Sequence, residues 1–450
     1  MNLHRLLVER ADAGKPVRVG IIGAGKFASM FFTQVPTTPG LHLVAVCDLD
    51  VARARQALTD TGWGNDRFAA ANFDEARNNG TTCITDDAMG VIESGSVEVL
   101  IDATGDPVVG VRHALAASDN GLHMIMVNVE ADVLAGPLLA ERARAAGTVY
   151  TLAYGDQPAL IAEQVDWARA AGFEVVCAGK GTKYLPAYHR STPDTVWDYY
   201  GLTREQAEDA GMNAKMFNSF LDGTKSAIEM AAVSNATGLV APSAGLFFPP
   251  CGTHELAQKL KPKSDGGILE TSGMVEVISS IARDGSPVEN DLRWGVYVTF
   301  EAPTDYAAAC FSQYGVTTDQ SGRYACLYRP SHLIGLELGI SVASVALRGE
   351  ATGAPVGFNA DVVATAKRDL AAGERLDGEG GYTVWGKLMP ARDSVELGGL
   401  PIGLAGNVVL TQPIAAGQCV RWSDVEVDNA SQAVVTRRQL EAGIVDGRAA

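Results

Sequence analysis

At 450 residues the chain is long enough for two or three domains and a sizeable core, and 36 basic against 53 acidic residues give a formal net charge of −17. That balance argues against nucleic acid or an anionic membrane as a partner, yet it leaves room for a local basic pocket that takes an anionic ligand. Seven cysteines, at 47, 83, 177, 251, 310, 326 and 419, form no C-x-x-C pair, so the expectation is a soluble protein of a reducing cytoplasm.

In chain order, Met1 to Arg10 reads as a short amphipathic helix with no apolar signal core. Val17-Arg-Val-Gly-Ile-Ile-Gly-Ala-Gly-Lys-Phe-Ala28 then breaks from an apolar strand into a glycine turn, and Asp48 ends the next apolar run 23 residues after Gly25. Each piece suits a dinucleotide: Gly23 permits the tight turn, Gly25 admits a pyrophosphate, and Ala28 packs helix against strand. Lys26, Phe27 and Ala28 open the helix, to about Gln34, on whose N-terminus the phosphates rest. Asp48 is suited to the ribose hydroxyls of NAD, while Arg53 and Arg55 keep NADP open.

Strand and helix alternate onward through Ser96–Gly105, a helix from about Val109 to Ala117, and His123–Asn128. Thr104, Gly105 and Asn128 therefore stand at strand ends, where the nicotinamide belongs. A helix and strand over Leu138–Ala153 complete a Rossmann-type doubly wound parallel sheet, assigned to residues 1–157 with a returning helix in 329–352. Residues 158–328 read as an α+β substrate and dimerisation domain, with a strand over Phe173–Cys177 and a helix over Lys225–Ala236. In the β-rich segment 353–450, Asp369-Leu-Ala-Ala-Gly-Glu-Arg-Leu376 is echoed by Pro413-Ile-Ala-Ala-Gly-Gln-Cys-Val420, which predicts a small pseudo-symmetric module.

Three groups carry candidate chemistry. Gly179-Lys-Gly-Thr-Lys183 follows a strand, so Lys180, Thr182 and Lys183 form a candidate clamp for a phosphate or carboxylate, or else a solvated turn. Asp222 caps a helix that presents Lys225 and Glu229 four apart, either a buried proton-transfer pair or an exposed ion pair. Glu130 and Asp132 follow the strand ending at Asn128, as candidate Mg²⁺ or Mn²⁺ ligands or as helix-start acids. His254-Glu-Leu-Ala-Gln258 lacks the second histidine of a zinc helix.

The order of the GxGxxA turn, Asn128, Gly181-Thr-Lys-Tyr-Leu185 and Asp222-Gly-Thr-Lys-Ser-Ala-Ile-Glu229 resembles homoserine dehydrogenase over about the first 345 residues. Val129 stands where that family has lysine, and Lys225 with Glu229 inverts its Asp/Lys pair, which argues against homoserine as substrate. The C-terminal echo, with Trp422-Ser-Asp-Val425, resembles the SAF domain, a β-clip fold. A body of this kind joined to a SAF module, opening Met1-Asn-Leu-His-Arg-Leu-Leu, resembles the 1-deoxy-D-xylulose-5-phosphate reductoisomerase-like (DRL) family.

That resemblance implies rearrangement of a ketose phosphate and reduction by NADPH to 2-C-methyl-D-erythritol 4-phosphate, with a homodimer or higher homo-oligomer. Lys225, or a metal on Glu130 and Asp132, would then stabilise the alkoxide, and Lys180, Thr182 and Lys183 the phosphate. Two alternatives stand beside it: a plain NAD-dependent dehydrogenase of a sugar acid, polyol or homoserine-like alcohol, and a non-catalytic cofactor sensor whose SAF module binds carbohydrate.

Overall fold

The computed structural model describes residues 2–445. They form two compact units: the chain up to Leu160 with Leu333–Val356, and Ile161–His332 with Gly357 onward.

Six apolar segments of the first unit extend into strands: β1 Val17–Ile22, β2 Leu41–Cys47, β3 Cys83–Thr85, β4 Val99–Asp102, β5 His123–Met126 and β6 Tyr150–Leu152. They lie in the order β3-β2-β1-β4-β5-β6, all parallel. This is the doubly wound Rossmann order, whose switch point falls between β1 and β4. Buried on both faces, such strands need near-continuous apolar runs rather than alternation, and β1 and β2 supply them. The opening helix, Leu3–Asp12, buries Leu3 and Leu7 in one core with Val17, Ile21, Phe31 and Phe32. The helix Gly339–Arg348 returns to that same core through Leu338, Val342 and Val345.

The second unit holds a mixed sheet of β7 Glu174–Thr182, β8 Met274–Ser279, β9 Val296–Glu301, β10 Thr317–Thr318 and β11 Tyr324–Arg329, ordered β10-β11-β9-β7-β8. Here the structure corrects a boundary. The strand expected to stop at Cys177 runs on to Thr182, so Lys180 and Thr182 are strand residues rather than part of a glycine loop. Their backbone groups pair with β8 and β9 instead of waiting for a ligand. Gly179 and Gly181 answer to packing, since a Cβ there would stand 1.8 Å from the Glu276 carbonyl oxygen and 1.9 Å from that of Leu292.

The C-terminal segment adds two antiparallel sheets, β12 Ala360–Ala366 with β14 Val384–Pro390, and β13 Arg375–Asp377 with β15 Gly406–Leu410 and β16 Val425–Glu426. The two echoed segments lie side by side, Leu370 and Ile414 exchanging both backbone hydrogen bonds. Their glycines, Gly373 and Gly417, have φ of 82° and 80°, which explains why each copy needs glycine at its turn. This segment, expected as a third unit, shares a unit with residues 161–332. The cause is direct bonding: the helix Thr224–Thr237 accepts from Gly386 N–H through Thr224, and Asn235 accepts from Asn359 and Ala360. Among the described residues no helix is long and apolar enough to cross a membrane.

Candidate functional site

In the first unit the candidate is the corner after β1. Gly23 has φ 98°, and a Cβ there would lie 2.5 Å from the Ala103 carbonyl oxygen, so only glycine fits. Gly25 differs: a Cβ would meet nothing within 4 Å. It is the N-cap of the helix Lys26–Gln34, and no side chain caps that helix. Ala28 is fully buried against the sheet. The first-turn backbone donors of this helix thus start at an exposed Gly25 and Lys26 with no side-chain cap at a positive helix end, which fits the pyrophosphate of a dinucleotide.

Asp48 sits beside this corner, buried, and its oxygens are occupied. Oδ2 accepts from Ala24 N at 2.7 Å and Oδ1 from Asp50 N at 2.9 Å. Arg53 Nη2 reaches both oxygens, at 2.6 and 2.8 Å. Burial alone would raise the Asp48 carboxyl, but the Arg53 guanidinium and the two backbone donors hold it below the usual range. The Arg53 side chain is 60% exposed, so the charge offered to solvent here is a guanidinium, with the carboxylate beneath it.

Asp102 at the end of β4 is an organiser that the sequence reading did not single out. Its Oδ1 accepts from Thr104 Oγ1 at 2.7 Å, and its Oδ2 stands 2.7 Å from His113 Nδ1, both groups buried. Asn128 is buried too: its amide nitrogen donates to the Asp106 carbonyl at 2.7 Å, and its oxygen caps the next helix at Ala131 N. Asn128 therefore fixes the loop carrying Thr104 and Gly105, where Gly105 takes φ 70°. Glu130 and Asp132 lie in the first turn of the helix Val129–Ala145. Asp132 is fully buried, accepts from Tyr150 Oη at 2.9 Å, and is pushed by burial up to about 7. Among the described residues no group of three or more His, Cys, Asp or Glu is placed to hold a metal ion.

In the second unit, Lys180 on β7 meets Glu229 on the helix Thr224–Thr237, both buried, in a short salt bridge. Lys225 stands half-buried in the first turn of the same helix. Lys183 lies past the strand end, its ammonium donating to the Tyr199 carbonyl at 2.5 Å, and burial with the Arg293 charge lowers its pKa. The two lysines are thus committed to different neighbours. Asp222 precedes the helix: its Oδ1 accepts from Thr224 N at 2.9 Å and its Oδ2 lies 2.8 Å from Lys367 Nζ. Burial raises Asp222 despite that ammonium.

A further network surrounds this helix start. His189 Nδ1 lies 2.7 Å from the Asp222 carbonyl, which fixes the proton on Nδ1 and leaves Nε2 to accept from Tyr184 Oη at 2.8 Å. Burial lowers His189, so the ring is neutral. Its face stacks on Trp385 at 3.9 Å, and Tyr184 stacks on Phe248 at 3.9 Å. Phe248 adopts φ 52°, a strained value for a non-glycine residue. It is held there by Glu276 on β8, whose carboxylate accepts from Phe247, Phe248 and Val277 N–H. Burial pushes Glu276 up to about 7 against those three donors. Nothing in spacing linked Tyr184, His189, Phe248, Glu276 and Trp385, because they come from separate strands and loops; only the Tyr184/His189 interval is local.

Residues 155–338, less than half the chain, match the family model described as oxidoreductase DRL, catalytic domain. No curated protein matches the sequence. Among solved structures the chain is similar to a biliverdin reductase from a Synechocystis species, at 17% identity and TM-score 0.27, over 38% of this chain and 48% of that one. The chain thus spans about half the length of that protein. A probable dehydrogenase from Thermotoga maritima is 12% identical at TM-score 0.36, over 74% and 90% of the two chains. A scyllo-inositol dehydrogenase from Lactobacillus casei is 10% identical at TM-score 0.37, over 76% and 92%. Similarities this low carry no inference about activity. The family match, the parallel sheet order and the glycine corner together support an NAD(P)-dependent oxidoreductase.

Proposed function

We propose that the chain is an NADP(H)-dependent oxidoreductase acting on a CH–OH carbon of a small anionic substrate, in the class of sugar acids, polyols and sugar phosphates. One observation carries the reading: an uncapped helix start at a glycine corner of a doubly wound sheet, in a chain whose residues 155–338 match an oxidoreductase catalytic domain. When bound, the nicotinamide supplies or accepts the hydride. Backbone N–H groups from Gly25 to Ala28 would hold the pyrophosphate, and Thr104 and Gly105 the nicotinamide end. Arg53, anchored by Asp48, would hold a 2′-phosphate, which turns the NAD preference expected from Asp48 toward NADP.

In the second unit the Lys180–Glu229 pair is the proton carrier: Lys180 donates to or accepts from the substrate oxygen, and Glu229 holds its ammonium in place. Lys183, Lys225 and Thr182 are the candidate anion holders, and Asp222 and His189 fix the start of the helix that carries Lys225. Plain hydride transfer needs only this proton carrier and the nicotinamide. The ketose-phosphate rearrangement implied by the DRL resemblance asks for alkoxide stabilisation in addition, and so ranks second. The SAF resemblance and a homodimer, the latter checked by light scattering, belong to the same proposal.

The test is a panel of sugar acids, polyols and 1-deoxy-D-xylulose 5-phosphate with each oxidised and reduced nicotinamide, followed by nicotinamide absorbance. Turnover of a hydroxy acid or polyol with NADP⁺ supports the first reading. Oxidation of NADPH with deoxyxylulose phosphate alone would replace it with the second, and tight cofactor binding without any turnover would favour a sensor.

A further inference from the structure

The second unit contains an open cleft of about 680 Å³ that neither the cofactor corner nor the Lys180–Glu229 pair explains. It is walled by Arg190 and Thr192, which follow β7, and by Lys367, Arg368, Asp369 and Tyr382 of the C-terminal segment. Three cationic residues are among its lining in a chain whose formal charge is −17. We propose that this cleft is a binding site for a small phosphorylated molecule, with the phosphate held by Arg190 and Arg368.

The cations differ in what they have left to give. Lys367 is buried, and its ammonium is already spent on the Ser191 carbonyl at 2.8 Å, the Gly381 carbonyl at 2.7 Å and Asp222 at 2.8 Å. It forms the floor and sets its shape. Arg190 has no hydrogen-bond or ion-pair partner among the described residues, and its guanidinium is exposed beside the cleft. Arg368 pairs with Glu374, but both are on the surface, where an ion pair contributes little and is readily exchanged for a dianion. The one acid in the wall, Asp369, is occupied by capping Ala416 N at 2.8 Å. Arg190, whose planar fork matches phosphate oxygens, is therefore the principal anchor for a ligand, and Arg368 joins it by exchanging its bonds to Glu374 and the Asp369 carbonyl. The volume exceeds a bare phosphate ion and suits one carried on a body of several carbons.

Occupancy would bear on the middle of the chain, because the floor lysine is bonded to Asp222, the residue that starts the helix carrying Lys225 and Glu229. The site stands apart from the oxidoreductase reading and is tested without turnover. Calorimetry on the full chain at low salt is run with inorganic phosphate, with glycerol 1-phosphate and with glycerol, on wild type and on Arg190→Glu. A second variant, Arg190→Gln, and thermal melts of each protein guard against unfolding. The expected result is binding of glycerol 1-phosphate, weakened at least tenfold by R190E and less by R190Q, with melts unchanged and glycerol silent. Tighter binding of inorganic phosphate than of the ester would overturn the assignment to a phosphorylated molecule. Binding that is absent at millimolar ligand, or indifferent to both variants, would overturn the site.

Discussion

Arg53→Ala should convert the cofactor preference without unfolding the corner. In the structure Arg53 uses one terminal nitrogen, Nη2, to span both oxygens of Asp48, which leaves Nη1 and Nε for a ligand. Charge-assisted hydrogen bonds to a phosphate are worth about 1.5–3 kcal/mol, so removing them should weaken NADPH roughly ten- to 150-fold. NADH has no 2′-phosphate to lose. Its affinity should hold or improve, since Asp48 keeps its donors from Ala24 and Asp50 and is freed to face the ribose hydroxyls. Arg53→Lys, a point charge in place of a fork, should fall between. Fluorescence titration of both reduced cofactors gives the two dissociation constants, and thermal melts control for folding. Equal losses for NADPH and NADH, or no loss for either, would refute the assignment of Arg53 to the 2′-phosphate.

Glu229→Gln keeps the shape of the buried pair but removes its negative charge, and should lower kcat about 10²–10⁴-fold with NADPH affinity unchanged, as steady-state kinetics on any substrate found would report; an unchanged kcat would remove the pair from the chemistry. Stability should respond to pH through Glu276, whose carboxyl titrates at the ordinary 4.5 when unfolded and at about 7 in the fold. Between those values the folded chain holds the extra proton, so stability falls as pH rises, by up to about 3 kcal/mol. Asp132, also pushed to about 7 by burial, acts in the same direction. Glu276→Gln retains an oxygen to accept from Phe247, Phe248 and Val277, and should flatten the decline measured by urea unfolding across that range. A slope equal to wild type would contradict the buried, proton-holding carboxyl.

The first unit was largely legible in the sequence because its signals are local. A β-branched run, a glycine turn and a helix start within a dozen residues leave few other folds open, and the helix expected from Lys26 to about Gln34 forms over those residues. The echo at 369–376 and 413–420 was legible for the same reason, a repeated turn chemistry. Tertiary partners were not. Asp48 looked like a free ribose acceptor because sequence cannot show Arg53 folding back onto it. Gly179 and Gly181 looked like a flexible loop, since a glycine that admits a neighbouring backbone cannot be told from one that bends a chain. Lys180 meets Glu229 across 49 positions, and Asp222 meets Lys367 across a far longer interval, beyond any periodicity.

Gly25→Val places a side chain at the start of the proposed cofactor corner. A Cβ there meets nothing in the fold within 4 Å, and the residue's extended backbone, φ −79°, accommodates valine. The variant should therefore melt with wild type to within the roughly 1 kcal/mol cost of a poor N-cap. Its methyl groups would stand in the space assigned to the pyrophosphate. Calorimetric titration with NADPH should show binding to wild type and a loss of roughly a hundredfold or more in the variant, as expected when several backbone-to-phosphate hydrogen bonds are blocked. Undiminished NADPH affinity in a folded Gly25→Val protein would contradict the account.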